Sequence, residues 1–224
     1  MLRHIDAEIQ NVKDAVLKMG GFVEKALQAT REALLFGKPE LIDEVRAQEK
    51  EINALQMKVD EMCVQLLAKQ SPVAKDLRFV ISVTKINTDL ERMGDQTLNT
   101  VRYGLEFFGA EENVEIPEDL KKMFDVVIAM VRLGLDAFAK NDNKISREVL
   151  SQDDEVDQLK KSLFDLAKKK MDTREWSIDS GLKFVMIAKN LERLADHVTN
   201  VAEDVIFSTT GEDIRHGQGQ PSAV

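Results

Sequence analysis

Apolar residues recur every three or four positions through six long stretches of this chain, with polar residues between them and little strand-like alternation. A first helix is predicted over about Ile5–Phe36 on Ile9, Val12, Val16, Met19, Val23, Leu27 and Leu34; Gly20-Gly21 weakens its middle and Gly37-Lys38-Pro39 ends it. A second runs from about Pro39 to Lys69 on Ile52, Leu55, Val59, Met62 and Leu66. Ser71-Pro72 reads as the N-cap and first-turn proline of a third, about Pro72–Phe108. The stretch Gly109–Pro117 is polar and acidic and ends in proline, so it reads as a linker. Three further helices follow: about Pro117–Lys140, broken by Asn141-Asp142-Asn143, about Lys144–Met171, and a last one to about Ser208. Asp172-Thr173-Arg174-Glu175 has the spacing of a capping box for that last helix. The Gly- and Gln-rich tail is expected to be mobile beyond about Arg215.

The chain echoes itself. Leu90-Glu91-Arg92, Asp95 and Asn99 return 101 residues later as Leu191-Glu192-Arg193, Asp196 and Asn200. Gln48-Glu49-Lys50-Glu51-Ile52-Asn53 returns at an offset of 104 as Gln152-Asp153-Asp154-Glu155-Val156-Asp157. The predicted fold is therefore all-α, six long helices as two tandem, pseudo-symmetric three-helix bundles: a first repeat over 1–110, a second over 116–208 and a flexible tail over 209–224.

Charge narrows the partners. With 31 Lys+Arg against 40 Asp+Glu the net charge is −9, which argues against non-specific nucleic-acid binding and suits a cationic partner or a metal. Cys63 stands alone, so no disulfide framework is available and a reduced, cytoplasmic setting is expected. The N-terminus lacks the apolar core of a signal peptide, and no stretch reaches the roughly 18 apolar residues of a membrane span, so any membrane role is peripheral.

Four helices carry acidic or amide pairs four residues apart, hence on one face: Glu49 with Asn53, Glu91 with Asp95, Asp153 with Asp157, and Glu192 with Asp196. Two carboxylates so placed repel by a few tenths of a kcal/mol on a lone helix, and a cation reverses that sign. If the second and third helices of each repeat are neighbours, the pairs merge into two rows of hard oxygen ligands, suited to magnesium, calcium, manganese or iron; zinc usually asks for Cys or His, scarce here. By charge count the second row, with four carboxylates, outranks the first, with three and Asn53. Spacing alone equally allows solvated faces with Arg92 and Arg193 as counter-charges, because charged residues are mostly surface residues. His197 points about 100° away from Asp196 on its helix, which favours a surface or interface role over ligation. Met19, Met57, Met62, Met93, Met123 and Met130 read as core filling or interface, and Trp176 as an anchor at the start of the last helix. No Walker loop, dinucleotide fingerprint or Cys-x-x-Cys pair is present, and no catalytic group is nominated.

Two copies of Leu-Glu-Arg-x-x-Asp, each on the third helix of a three-helix repeat, resemble the PhoU family of phosphate-signalling regulators. Gln70-Ser71-Pro72-Val73-Ala74-Lys75-Asp76-Leu77-Arg78 looks like that family's entry to its third helix, and Met19-Gly20-Gly21 resembles its first-helix signature. The resemblance implies divalent or trivalent metal ions (iron, manganese, magnesium or zinc) held by Glu/Asp-x-x-x-Asp pairs, here Glu91, Asp95, Asp153, Asp157, Glu192 and Asp196. The chain departs from the pattern at Asn53, beside Glu49, so the first site is expected to be weaker or to hold fewer ions. The resemblance also implies a non-enzymatic negative regulator of the phosphate-starvation response. Its partners would be a phosphate ABC transporter ATPase subunit and a phosphate sensor histidine kinase, with a homodimer expected and the membrane reached only through those partners. The rival functions are a metal-free helical scaffold and a di-iron carboxylate enzyme; the latter's Glu-x-x-His ligand pair does not occur here.

Overall fold

The computed structural model of the chain describes residues 4–111 and 114–215. The predicted six long helices are present: α1 (His4–Leu35), α2 (Ile42–Gln70), α3 (Lys75–Ala110), α4 (Glu118–Lys140), α6 (Asp153–Asp172) and α7 (Ile178–Thr210). A short α5 (Asn143–Leu150) precedes α6. The tail expected to be mobile beyond Arg215 lies outside the described residues.

Three helix boundaries differ from the sequence reading, each for a local reason. Ser71 does not cap α3; it ends α2 in the left-handed conformation (φ 45°, ψ 58°), because Pro72 disfavours right-handed helix at the residue before it, and α3 starts at Lys75. The residues of the expected capping box close α6 instead, and Ser177 caps α7, its Oγ accepting from the Ser180 N–H at 3.0 Å. The expected fifth helix is interrupted at Ser151-Gln152, where the Gln152 N–H turns back to the Val149 carbonyl at 3.0 Å. The restart places Asp153, Asp154 and Glu155 in the first turn of α6, where the positive end of the helix dipole favours them.

Within each repeat the helices pack as an antiparallel trio, α1–α2–α3 and α4–α6–α7. The repeats join mainly along α3 and α7, which run in opposite directions: Lys85 pairs with Asp204 at 3.3 Å, and Glu106 with Lys183 at 3.6 Å. One apolar cluster runs through both repeats, with Met19, Leu27, Leu90 and Met93 from the first and Phe124, Val131, Leu191 and Leu194 from the second. Gly20, which on propensity weakens α1, is a point of contact with α4: a Cβ there would lie 2.1 Å from Leu135 Cδ2. Of the methionines, Met19, Met93, Met123 and Met130 are buried and Met62 packs against the core, but Met57 is exposed and fills nothing. Trp176 is buried just ahead of α7, with its ring 4.9 Å from Phe107 and 4.9 Å from Phe184. Cys63 is buried as well, and burial, then Asp60, pushes its thiol up to about 11, which leaves it an inert core residue.

Candidate functional site

Each row of candidate oxygen ligands forms where two neighbouring helices of one repeat bring their shoulders together. In the first repeat α2 carries Glu49 and Asn53, and α3 carries Glu91 and Asp95. Asn53 Nδ2 donates to Glu49 Oε1, while Asn53 Oδ1 is buried without a hydrogen-bond partner. Half-buried Glu91 has its carboxyl held above the ordinary range by burial first, then by Asp95 and Glu49, with Arg92 and His197 opposing. In the second repeat α6 carries Asp153 and Asp157, and α7 carries Glu192 and Asp196. Burial, then Asp157, Asp154 and Glu192, raises Asp153. Asp196, exposed as a whole residue, is pushed up to about 6 by partial desolvation of its carboxyl, then by Glu192, Asp153 and Asp157.

The helices thus bring all eight positions into two rows, but the rows are open. Among the described residues no three Asp, Glu, His or Cys side chains converge on a point that could hold a metal ion. In the first row Glu49 accepts from the Asn53 amide, and in the second Asp157 and Glu192 pair with an ammonium. The donor chemistry fits a hard cation, since every candidate ligand is oxygen and Asn53 Oδ1 is an acceptor with nothing bound to it. None of the eight belongs to the buried core, where, among the described residues, the buried carboxylates are Asp76 and Asp204. A di-iron site needs its carboxylates inside the bundle, so that rival finds no ligand set here.

The ammonium is that of Lys160, a residue the sequence reading passed over. Its Nζ lies 2.6 Å from Asp157 Oδ1 and 2.8 Å from Glu192 Oε1, tying α6 to α7. Hydrogen bonds to both carboxylates raise its pKa, so it stays charged. The Asp157-x-x-Lys160 spacing was a legible signal for the first contact; nothing local announced the second. Lys160 also changes the charge count behind the expected order of the rows. Four carboxylates and one ammonium stand against three carboxylates, −3 in each.

His197 has the interface role its direction suggested. Its Nδ1 lies 2.8 Å from Asp89 Oδ1 across the α3–α7 seam, and Asn200 Nδ2 donates to the same oxygen at 3.2 Å. Applying the 101-residue offset to that pair gives Asn190 and Gln96, and there Asn190 Nδ2 and Gln96 Oε1 are both buried without partners. The two equivalent positions across the seam thus differ in pairing: Asp89 and His197 are bonded, while Gln96 Oε1 and Asn190 Nδ2 have no partner.

Raised carboxyls predict a pH dependence. Asp196 binds its proton more tightly folded, at about 6, than at its ordinary 3.8, so its contribution to stability is present at low pH and lost as pH rises between those values. Asp196→Asn should leave the melting temperature nearly unchanged near the lower value and raise it by a few degrees above the upper one in chelator. The gain, on the order of 1 kcal/mol, is kept small by solvent screening of a group that still reaches water. Melts across that range that shift equally at every pH would sink the assignment.

Comparison with known proteins bears on the same two repeats. The model of the PhoU domain matches residues 16–103 and 120–205, one copy in each repeat. The phosphate-specific transport system accessory protein PhoU homolog of Pseudomonas aeruginosa is 34% identical over 215 residues, covering 96% of this chain and 88% of that protein. The crystal structure of PhoU from Pseudomonas aeruginosa superposes with a TM-score of 0.88 at 32% identity, over 93% of this chain and 100% of that one. The phosphate transport system regulatory protein PhoU from Streptococcus pneumoniae does so with a TM-score of 0.86 at 28% identity, over 94% and 99%. With both repeats matched and the likeness running over nearly the whole length, the chain belongs to the PhoU family.

Proposed function

We propose that the chain is a non-enzymatic accessory of a phosphate-specific transport system and a negative regulator of the phosphate-starvation response. It acts in the cytoplasm as a homodimer, coupling the transporter's ATPase subunit to a membrane sensor histidine kinase. The observation that carries this reading is the end-to-end match to proteins named as accessory and regulatory components of phosphate transport. The net charge of −9 is compatible with it, because an acidic chain is repelled by the polyanionic backbone of nucleic acid and leaves protein partners as the readier reading. Among the described residues no helix is long and apolar enough to cross a membrane, so contact with it would pass through the partners.

Divalent or trivalent cations form part of the proposal. Glu49, Asn53, Glu91 and Asp95 would hold one set, and Asp153, Asp157, Glu192 and Asp196 the other. A bound cation would supply positive charge between carboxylates that now raise one another's pKa, and hard oxygen donors favour iron, manganese or magnesium over zinc. The test is co-purification of the tagged chain from phosphate-replete cells. The ATPase subunit and the kinase should come down with it; a preparation that captures neither, from cells shown to express both, rejects the coupling.

A further inference from the structure

We infer that Lys160 is a built-in counter-ion that closes the second carboxylate row against free cations, leaving the first row as the one that responds to them. The inference rests on the cation-binding reading above and concerns how that reading divides between the repeats. Its basis is a contact within the chain: the Lys160 ammonium bonds a carboxylate on each of two helices, Asp157 on α6 at 2.6 Å and Glu192 on α7 at 2.8 Å. These are two of the row's four carboxylates, and the Lys160 side chain is only 26% exposed.

The repeat supplies the control. Lys160 falls at the 104-residue offset from Gln56, so the first row has a neutral amide where the second has an ammonium. Gln56 contributes through its backbone, its carbonyl accepting from Asn87 Nδ2 at 3.0 Å. In the first row the Asn53 amide bonds Glu49, and Asn53 Oδ1 has no hydrogen-bond partner. Arg92 and Arg193 occupy equivalent positions beside the two rows, and His197 opposes the raised values of both Glu91 and Asp196, so neither explains a difference between them.

Physics sets the direction. A tethered ammonium acts at an effective concentration of roughly millimolar or more without paying the entropy of association, so a free cation must displace it before reaching Asp157 or Glu192. A released lysine would also lose two charge-assisted hydrogen bonds at once. Among the described residues no lysine or arginine is bonded to a carboxylate of the first row. The formal charge of −3 shared by the rows therefore hides a difference: in the first it is open to a cation, while in the second part of it is already engaged.

The experiment is a Mn²⁺ titration of chelator-stripped full-length chain, with free Mn²⁺ read by electron paramagnetic resonance and each variant's fold checked by circular dichroism. Wild type should take up Mn²⁺ at the first row, and Glu91→Ala with Asp95→Ala should remove most of that uptake. Lys160→Gln should add a second class of sites, bound at least tenfold more tightly than any second-row uptake in wild type; Lys160→Arg, which keeps the charge, should not. The added sites should survive Glu91→Ala with Asp95→Ala. Equal uptake at both rows in wild type, or no gain in Lys160→Gln, overturns this inference and leaves the cation reading standing. No uptake by wild type or by any of the four variants overturns both.

Discussion

Phe107→Ala is expected to lower the melting temperature by roughly 10 °C, the largest effect of any single substitution considered for this chain. Phe107 is fully buried near the end of α3, with its ring 5.0 Å from Phe108, 4.9 Å from Trp176 and 5.1 Å from Phe184. It therefore belongs at once to the first repeat, to the α6–α7 connection and to α7. Truncation to alanine removes most of a phenyl group from a site walled by other rings, which move as rigid plates and fill a hole poorly, so the cost is about 3–5 kcal/mol. Phe36, 62% exposed, is the control, and Phe36→Ala should fall within about 0.5 kcal/mol of wild type. Thermal melts of the two variants decide it. Similar small shifts in both would mean that the repeats do not share the aromatic cluster energetically.

The second large effect is functional and rests on the proposed role. Glu91→Ala together with Asp95→Ala should raise a reporter under a phosphate-starvation promoter, in high phosphate, to the level of cells lacking the protein. The fold should persist, because the substitutions remove two like charges four residues apart and relieve about 0.2–0.5 kcal/mol of repulsion on α3. The corresponding pair in the second repeat is a poorer probe. Glu192 anchors Lys160 and with it the α6–α7 contact, so Glu192→Ala would lose an ion pair besides any cation ligand. Melts in chelator and in Mn²⁺ accompany the reporter: wild type should gain stability with the ion and the variant should not. Full repression by a variant that no longer gains stability from Mn²⁺ would detach the row from the signal.

Six helices and their faces were legible in the amino-acid sequence because each is written in residues three, four or seven apart on one helix, and the two-fold repetition because the motifs return 101 and 104 residues on. The i, i+4 pairs Glu91–Asp95 and Glu192–Asp196 follow from helical geometry alone, and so does the divergence of His197 from Asp196. Boundaries were less legible, since Ser71-Pro72 and Asp172–Glu175 each support two local readings. A serine before proline can open a helix or end one; here Pro72 keeps Ser71 out of the right-handed helix, so α2 ends there. The break at Ser151-Gln152 has no glycine or proline to announce it; buried Val149 and Val156 lie on either side of it.

What only the tertiary structure decided is which charges meet. Lys160 reaches Glu192 across 32 residues of sequence, and Asp89 reaches His197 across 108. These contacts depend on the rotation of one helix against another, a quantity no short-range spacing contains, since turning a helix by a single residue swings its charged stripe about 100°. The sequence by itself determined i, i+4 pairs of carboxyl and amide side chains on a doubled all-α frame. Packing determined that one row closes on its own lysine while the other keeps an unbonded oxygen, because electrostatic pairing between helices is settled only once their apolar faces have fixed their orientation.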